Sequence, residues 1–178
     1  MFKEFIDPLK RMNKRQMAMQ VLNFLSVFCS AIMVYKGLSL VTNSESPVVV
    51  VLSESMAPAI HRGDLLFLNN PPTPIEIGEI CVFKLPGRDV PIVHRVIKLH
   101  NEVETGKQYI LTKGDNNPGD DRGLYNPGMT WIHKDHIVGR VRGFLPFVGM
   151  VTIWLHDYPY FKYIFLGVPA LLVLFQRE

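Results

Sequence analysis

Val48-Val-Val-Val-Leu52-Ser-Glu-Ser55-Met-Ala-Pro58 is a β-branched run that stops at a pair of serines and a proline. Four successive valines favour an extended, buried strand. The small and polar residues after them cannot carry that strand further into a core, and Pro58 restricts Ala57 and prevents a clean helix start. A stiff strand thus delivers the Ser55 hydroxyl to a sharp bend, a position suited to an exposed nucleophile. Further along, Val90-Pro-Ile-Val-His94-Arg-Val-Ile97 places one imidazole in another strand-like run. Lys113-Gly-Asp115-Asn-Asn-Pro-Gly-Asp120-Asp121-Arg-Gly123 then offers carboxylates in a loop. A serine hydroxyl attacks well near neutral pH only when a base takes its proton, and imidazole suits that task. A carboxylate must in turn hold the ring's tautomer and stabilise its cation. Serine, histidine and aspartate on separate strand ends and loops are the inventory of a serine hydrolase, with Asp115, Asp120 and Asp121 all open as the acid.

Around these residues, 48–142 is mainly β in pattern. Pro47–Leu52, Asp64–Leu68, Glu79–Lys84, Pro91–Leu99, Gln108–Thr112 and Ile137–Val141 are the expected strands. Turn formers separate them: Arg62-Gly-Asp64, Asn70-Pro-Pro-Thr-Pro74, Ile77-Gly-Glu79, Pro86-Gly-Arg88 and the long loop 114–123. Alternation puts Ile92, His94 and Val96 on one face, and Arg95 points away from them. The expected fold is mainly β: a small, antiparallel, barrel-like domain.

On its N-terminal side, no charge occurs from Gln16 to Tyr35, which is long enough to span hydrocarbon as a helix. Lys10, Arg11, Lys14 and Arg15 flank its start closely, whereas Lys36 alone follows it. The positive-inside rule leaves the N-terminus in the cytoplasm and the rest of the chain on the far side. The apolar stretch Tyr163–Phe175 has only thirteen residues and contains Pro169, which suits a short helix at the lipid boundary better than a second span. The expected organisation is a basic segment over 1–15, a transmembrane anchor over 16–40, a β-rich domain over 41–158 and a short membrane-associated helix over 159–178.

A formal net charge of +3, with no basic and aromatic stripe, gives no case for nucleic acid. No metal-ligand spacing occurs, so neither metal nor cofactor is expected. Two cysteines, Cys29 and Cys81, do not make a disulfide framework and are expected to be small buried apolar residues.

Taken together, Ser53-Glu-Ser55-Met-Ala-Pro58, Arg62-Gly-Asp64, Val93-His94-Arg-Val96, Lys113-Gly-Asp115-Asn116 and Asp120-Asp121-Arg-Gly123 resemble the successive boxes of the type I signal peptidases, in their endoplasmic reticulum form. The resemblance covers nearly the whole chain. It implies Ser55 as nucleophile, His94 as base where bacterial relatives carry lysine, and Asp121 as the third member. Asp115 matches another acid of the site and is the alternative, with Asp120 beside it. Ser53 matches a hydroxyl of the oxyanion hole. The chain departs from the family at Glu54, where glycine usually separates the serines. Glycine permits backbone angles that other residues resist, and a carboxylate there adds negative charge beside a developing oxyanion.

What the resemblance implies is a serine endopeptidase of the endoplasmic reticulum membrane, single-pass, with a lumenal catalytic domain. It would remove signal peptides from preproteins after small residues. Its implied partners are those preproteins, small non-catalytic membrane subunits of a hetero-oligomeric complex, and the bilayer. Ser55 lies fourteen positions beyond Val41, a reach of at most about 50 Å, so the site is expected near the membrane face. A non-catalytic signal-peptide-binding or structural subunit is the alternative, with Glu54 as its mark. A self-cleaving regulator of similar fold would carry its own cleavage loop, and no such segment is evident.

Overall fold

In the computed structural model, which describes residues 13–102, 106–158, 160 and 163, the charge-free stretch is a single helix, α1 (Lys14–Thr42, 29 residues). At 1.5 Å per residue it is about 43 Å long, and it is long and apolar enough to cross a membrane. It exceeds the expected anchor by two residues at each end. The Ser26 and Ser30 hydroxyls donate to the carbonyls of Asn23 and Ser26. Ser26 is therefore satisfied within its own helix and needs no neighbouring helix to bond. The basic segment expected before residue 13 and nearly all of the apolar helix expected over 159–178 lie outside the described residues. The chain divides into two units, Met1–Val41 and Thr42–Glu178.

The second unit is built on one seven-stranded, wholly antiparallel sheet, a half-barrel in the order β1-β2-β7-β3-β4-β5-β6. The strands are β1 (Val48–Val50), β2 (Leu65–Asn69), β3 (Ile80–Phe83), β4 (Ile92–Asn101), β5 (Gln108–Lys113), β6 (Ile132–His133) and β7 (Ile137–Leu145). All six expected strands are present. β1 is shorter than its valine run suggests, because Val51 leaves the ladder to bond across the neck of the next loop. β7 runs four residues beyond Val141, and the two-residue β6 has no counterpart among the expected strands. A short helix, α2 (Met150–Asp157), follows β7.

β3 is buried on both faces, and two apolar clusters form accordingly. Cys81 and Phe83 join Val96, Ile110, Ile132 and Tyr125 on one side. Val82 joins Val51, Met56, Ile60, Leu66 and Leu68 on the other. Burial pushes the Cys81 thiol up to about 12, and Glu79 adds to the shift. Cys81 therefore behaves as the small apolar residue expected, whereas Cys29, on α1, is exposed and not buried as expected.

Opposite Cys81, Arg140 carries its charge into the interior at 2% exposure. Its Nη1 donates to Glu79 Oε2 (3.0 Å) and to the Pro74 carbonyl, and its Nη2 donates to the carbonyls of Pro71 and Thr73 and to the Thr73 hydroxyl. Prolines have no N–H to offer one another, so the 70–74 loop takes most of its donors from this guanidinium, with Lys134 Nζ reaching the Pro72 and Thr73 carbonyls and the Asn43 amide the Asn70 carbonyl. Arg140→Ala would strand these acceptors and should cost about 3–5 kcal/mol. The expected readout is a lower thermal midpoint of the full chain in detergent.

Candidate active site

The loop carrying Ser55 is closed at its neck. Val51 N–H donates to the Asp64 carbonyl (2.9 Å) and Gly63 N–H to the Val51 carbonyl (2.8 Å). Gly63 holds φ at +92°, and a Cβ there would strike Met150. Met56 and Ile60 plug the loop into the second apolar cluster. Apolar anchoring of Met56 leaves the adjacent Ser55 half-buried at the bend, facing the end of β4.

His94 and Val96 both point inward from β4, as alternation predicts, and His94 is 2% exposed. Phe83 meets the imidazole edge-on, with ring centroids 6.4 Å apart. His94 Nε2 lies 3.0 Å from Ser55 Oγ, and Nδ1 lies 2.6 Å from Asp121 Oδ2. One carboxylate sets the direction of every proton in this line. An ionised carboxylate only accepts, so Nδ1 carries the ring proton and donates to Asp121. Nε2 is then an acceptor, and the Ser55 hydroxyl donates to it. With that hydrogen committed, the Ser53 hydroxyl donates to Ser55 Oγ across 3.2 Å. The arrangement leaves the serine proton aimed at a base and the base held in one tautomer.

The three candidate acids are sorted by their partners. Asp120 caps the short 3₁₀ turn Asp121–Gly123, accepting from Arg122 N–H. That cap turns the next residue inward, and Asp121 is 1% exposed. Its Oδ2 also accepts from the Thr112 hydroxyl at 2.6 Å, and Thr112 is bonded to Tyr125. Asp115 does not bond His94. It forms a two-pronged pair with Arg95, Nε to Oδ1 at 2.9 Å and Nη2 to Oδ2 at 2.7 Å. The guanidinium holds the Asp115 carboxyl below its usual range. Partial desolvation opposes that shift, and the Arg95 and Lys113 charges reinforce it.

Asp115 thereby fixes the loop that grips the serine from behind. Asn116 N–H donates to the Ser55 carbonyl (2.9 Å), and the Asn116 amide donates to the Glu54 carbonyl. Gly114 makes that approach possible, since a Cβ there would sit 2.7 Å from the Ser55 carbonyl oxygen and 2.9 Å from His94 Nε2. Glu54 turns its carboxylate away from this line, to Arg62 N–H and His61 Nδ1, both at 3.2 Å. Its backbone is not in the left-handed region, where Asn43 and Phe147 are the non-glycine residues among those described. The position thus makes no demand that glycine alone could meet.

Sequence reasoning passed over Thr112, Tyr125 and the gripping role of Asn116. Threonine is an ordinary strand residue, and nothing in Gln108–Lys113 marks one as a partner of the acid.

Asp115 has a folded pKa below its unfolded value near 3.8. Its stabilising contribution is therefore complete above that value and is lost as pH falls through the lower, folded one. Asp115→Asn should show a lower thermal midpoint at pH 7, with the gap to wild type closing below about pH 4. Glu54→Gly removes one half-exposed clamp. It should cost about 1 kcal/mol or less of stability and leave the Ser55–His94 geometry, and any activity that depends on it, in place.

Residues 21–141 match the family described as Peptidase S24-like, and residues 150–175 match the signal peptidase C-terminal short helix. The human protein named signal peptidase complex catalytic subunit SEC11C is 61% identical over 176 residues, covering 98% of this chain and 91% of the relative. The Dictyostelium discoideum signal peptidase complex catalytic subunit sec11 is 53% identical, covering 97% of this chain and 96% of its own. SEC11 of Schizophyllum commune is 49% identical over the full length of both. Identity at this level over the helix and the sheet alike, with a serine, a histidine and an acid meeting at one bend, leads to a single assignment: the chain belongs to the signal peptidase complex catalytic subunits, within the S24-like peptidases.

Proposed function

We propose that this chain is the serine endopeptidase of a signal peptidase complex, removing signal peptides from preproteins by acyl transfer through Ser55, His94 and Asp121. The observation that carries the proposal is the unbroken hydrogen-bond line from Ser55 Oγ to His94 to Asp121, at 3.0 and 2.6 Å. Ser55 Oγ attacks the scissile carbonyl carbon while His94 Nε2 takes its proton. The proton passes to the leaving nitrogen as the C–N bond breaks, and the mature chain departs. Water then attacks the ester, His94 takes its proton, and that proton returns to Ser55. Asp121 stabilises the imidazolium in both steps. The Ser53 hydroxyl is close enough to turn toward the oxyanion. Ser55 N–H, which has no protein acceptor among the described residues, can join it. Such donors are each worth on the order of 10²–10³ in rate.

Helix α1 is the proposed anchor, with the N-terminus in the cytoplasm, residues 41–158 in the lumen of the endoplasmic reticulum and 159–178 at the membrane boundary. A signal peptide carries an apolar core followed by small residues at its cleavage junction. An anchored enzyme meets that junction where it leaves the bilayer. Small non-catalytic membrane subunits complete the proposed assembly, in keeping with the relatives' names as members of a complex. The alternative of a non-catalytic subunit rests on Glu54, whose carboxylate is committed to the 61–62 turn and gives it no support.

The test is preprotein processing by the assembled complex. Ser55→Ala and His94→Ala should abolish cleavage while the protein remains folded and assembled. Asp121→Asn should lower the rate by on the order of 10⁴, as expected when the base loses its orienting acid. Normal processing by Ser55→Ala would eliminate the proposed mechanism.

A further inference from the structure

We infer that Thr112 and Tyr125 are positioning residues that hold the Asp121 carboxylate in register for His94, an inference that presupposes the serine mechanism proposed above.

Asp121 is a charge-bearing group at 1% exposure, and its environment supplies few donors. Oδ1 has no partner among the described residues, so Oδ2 carries both side-chain bonds, from His94 Nδ1 and from Thr112 Oγ1, each at 2.6 Å. A carboxylate held at one oxygen by a single donor can pivot about its Cβ–Cγ bond. Two donors converging on the same oxygen from different strands leave much less freedom. β4 brings one and β5 the other.

The hydrogen assignments continue without a free choice. Asp121 accepts, so the Thr112 hydroxyl commits its hydrogen there. Its oxygen lies 3.0 Å from Tyr125 Oη, and only the phenol can donate across that gap. Tyr125 Oη in turn accepts from Thr112 N–H at 3.1 Å. Burial first, and then the Asp121 and Asp120 carboxylates, push the Tyr125 phenol up, against the opposing bonds from Thr112. The phenol therefore stays protonated and remains a donor. Two contacts besides its hydroxyl hold Tyr125. Its N–H donates to the Asp121 carbonyl (3.1 Å), and Phe83 meets its ring edge-on at 6.3 Å. Thr112 is fully buried where valine would fill the same space without a polar group to desolvate. Its hydroxyl is directed to the acid and not to a strand carbonyl, which a merely structural threonine would use.

The experiment compares Thr112→Val, Thr112→Ser and Tyr125→Phe in the assembled complex, measuring kcat and KM for a preprotein alongside thermal midpoints. Thr112→Val should lower kcat about tenfold to a hundredfold, the range for one hydrogen bond to a charged group, with KM within about twofold. Thr112→Ser restores the donor and should return kcat to within about threefold of wild type. Tyr125→Phe keeps the ring and should lower kcat by about threefold to tenfold. In an Asp121→Asn background, Thr112→Val should cost less than about twofold more, because its target is already gone. Unchanged kcat in Thr112→Val, equal losses for the Val and Ser forms, or additive losses with Asp121→Asn would each overturn the inference. Should Thr112→Val fail to fold, Tyr125→Phe, alone and combined with Asp121→Asn, decides the same question by the same comparison. Ser55→Ala is run in parallel. If it is inactive, any failure belongs to the Thr112–Tyr125 inference alone. If it processes normally, the mechanism fails and the inference falls with it.

Discussion

A carboxylate sealed from water beside an imidazole is the constraint around which this domain is arranged. An isolated buried charge is costly, and the cost is relieved only by donors placed at hydrogen-bond distance. Asp121 receives them from two neighbouring strands, and its own inward turn is set by the cap that Asp120 places on a three-residue 3₁₀ turn. β4, β5 and the loop after β5 must all be formed before that carboxylate is satisfied. The serine comes from elsewhere in the chain and is brought to the imidazole by a second set of contacts, through Asn116 and the Met56 plug.

The division of labour between Asp115 and Asp121 shows how backbone bonds and side-chain charges share the work. Asp115 carries the more conspicuous ion pair, but its partner is Arg95 on the far face of β4. Its effect reaches the serine through the loop it pins and the N–H that loop presents. Arg140, on the central strand β7, plays a comparable part, where its guanidinium together with the Lys134 ammonium organises a proline-rich loop that cannot organise itself.

Much of this was legible in the sequence because β structure advertises itself by alternation. His94 with Val96 inward and Arg95 outward follows from period two, and the turns fall at the Gly, Pro, Asn and Asp clusters. The serine bend was legible because valines end abruptly at polar residues. What was not legible lies where local pattern carries no information. Two residues, Ile132–His133, are too few to show a period. Asp115, Asp120 and Asp121 are chemically alike in a loop, and only the three-dimensional path of the backbone separates a pinning residue, a cap and a partner of the imidazole. Glu54 was ambiguous for the same reason, since a letter in a motif does not say which way its side chain leaves the chain. Thr112 was silent because a threonine in a strand is commonplace until its hydroxyl is seen to end on a carboxylate.

The strand order has a consequence for the integrity of the site. β1 and β2, which carry the serine bend, share no ladder with β3 to β6, which carry the imidazole and its acid; β7, the last strand to be synthesised, is the one that stitches them together. Without Ile137–Leu145 the two halves would share no backbone ladder and would meet through the packing of Val82 and the bond from Asn116 to the Ser55 carbonyl. The last strand along the chain thus acts as a keystone, giving the hydroxyl-bearing bend and the imidazole-bearing strands one common backbone frame.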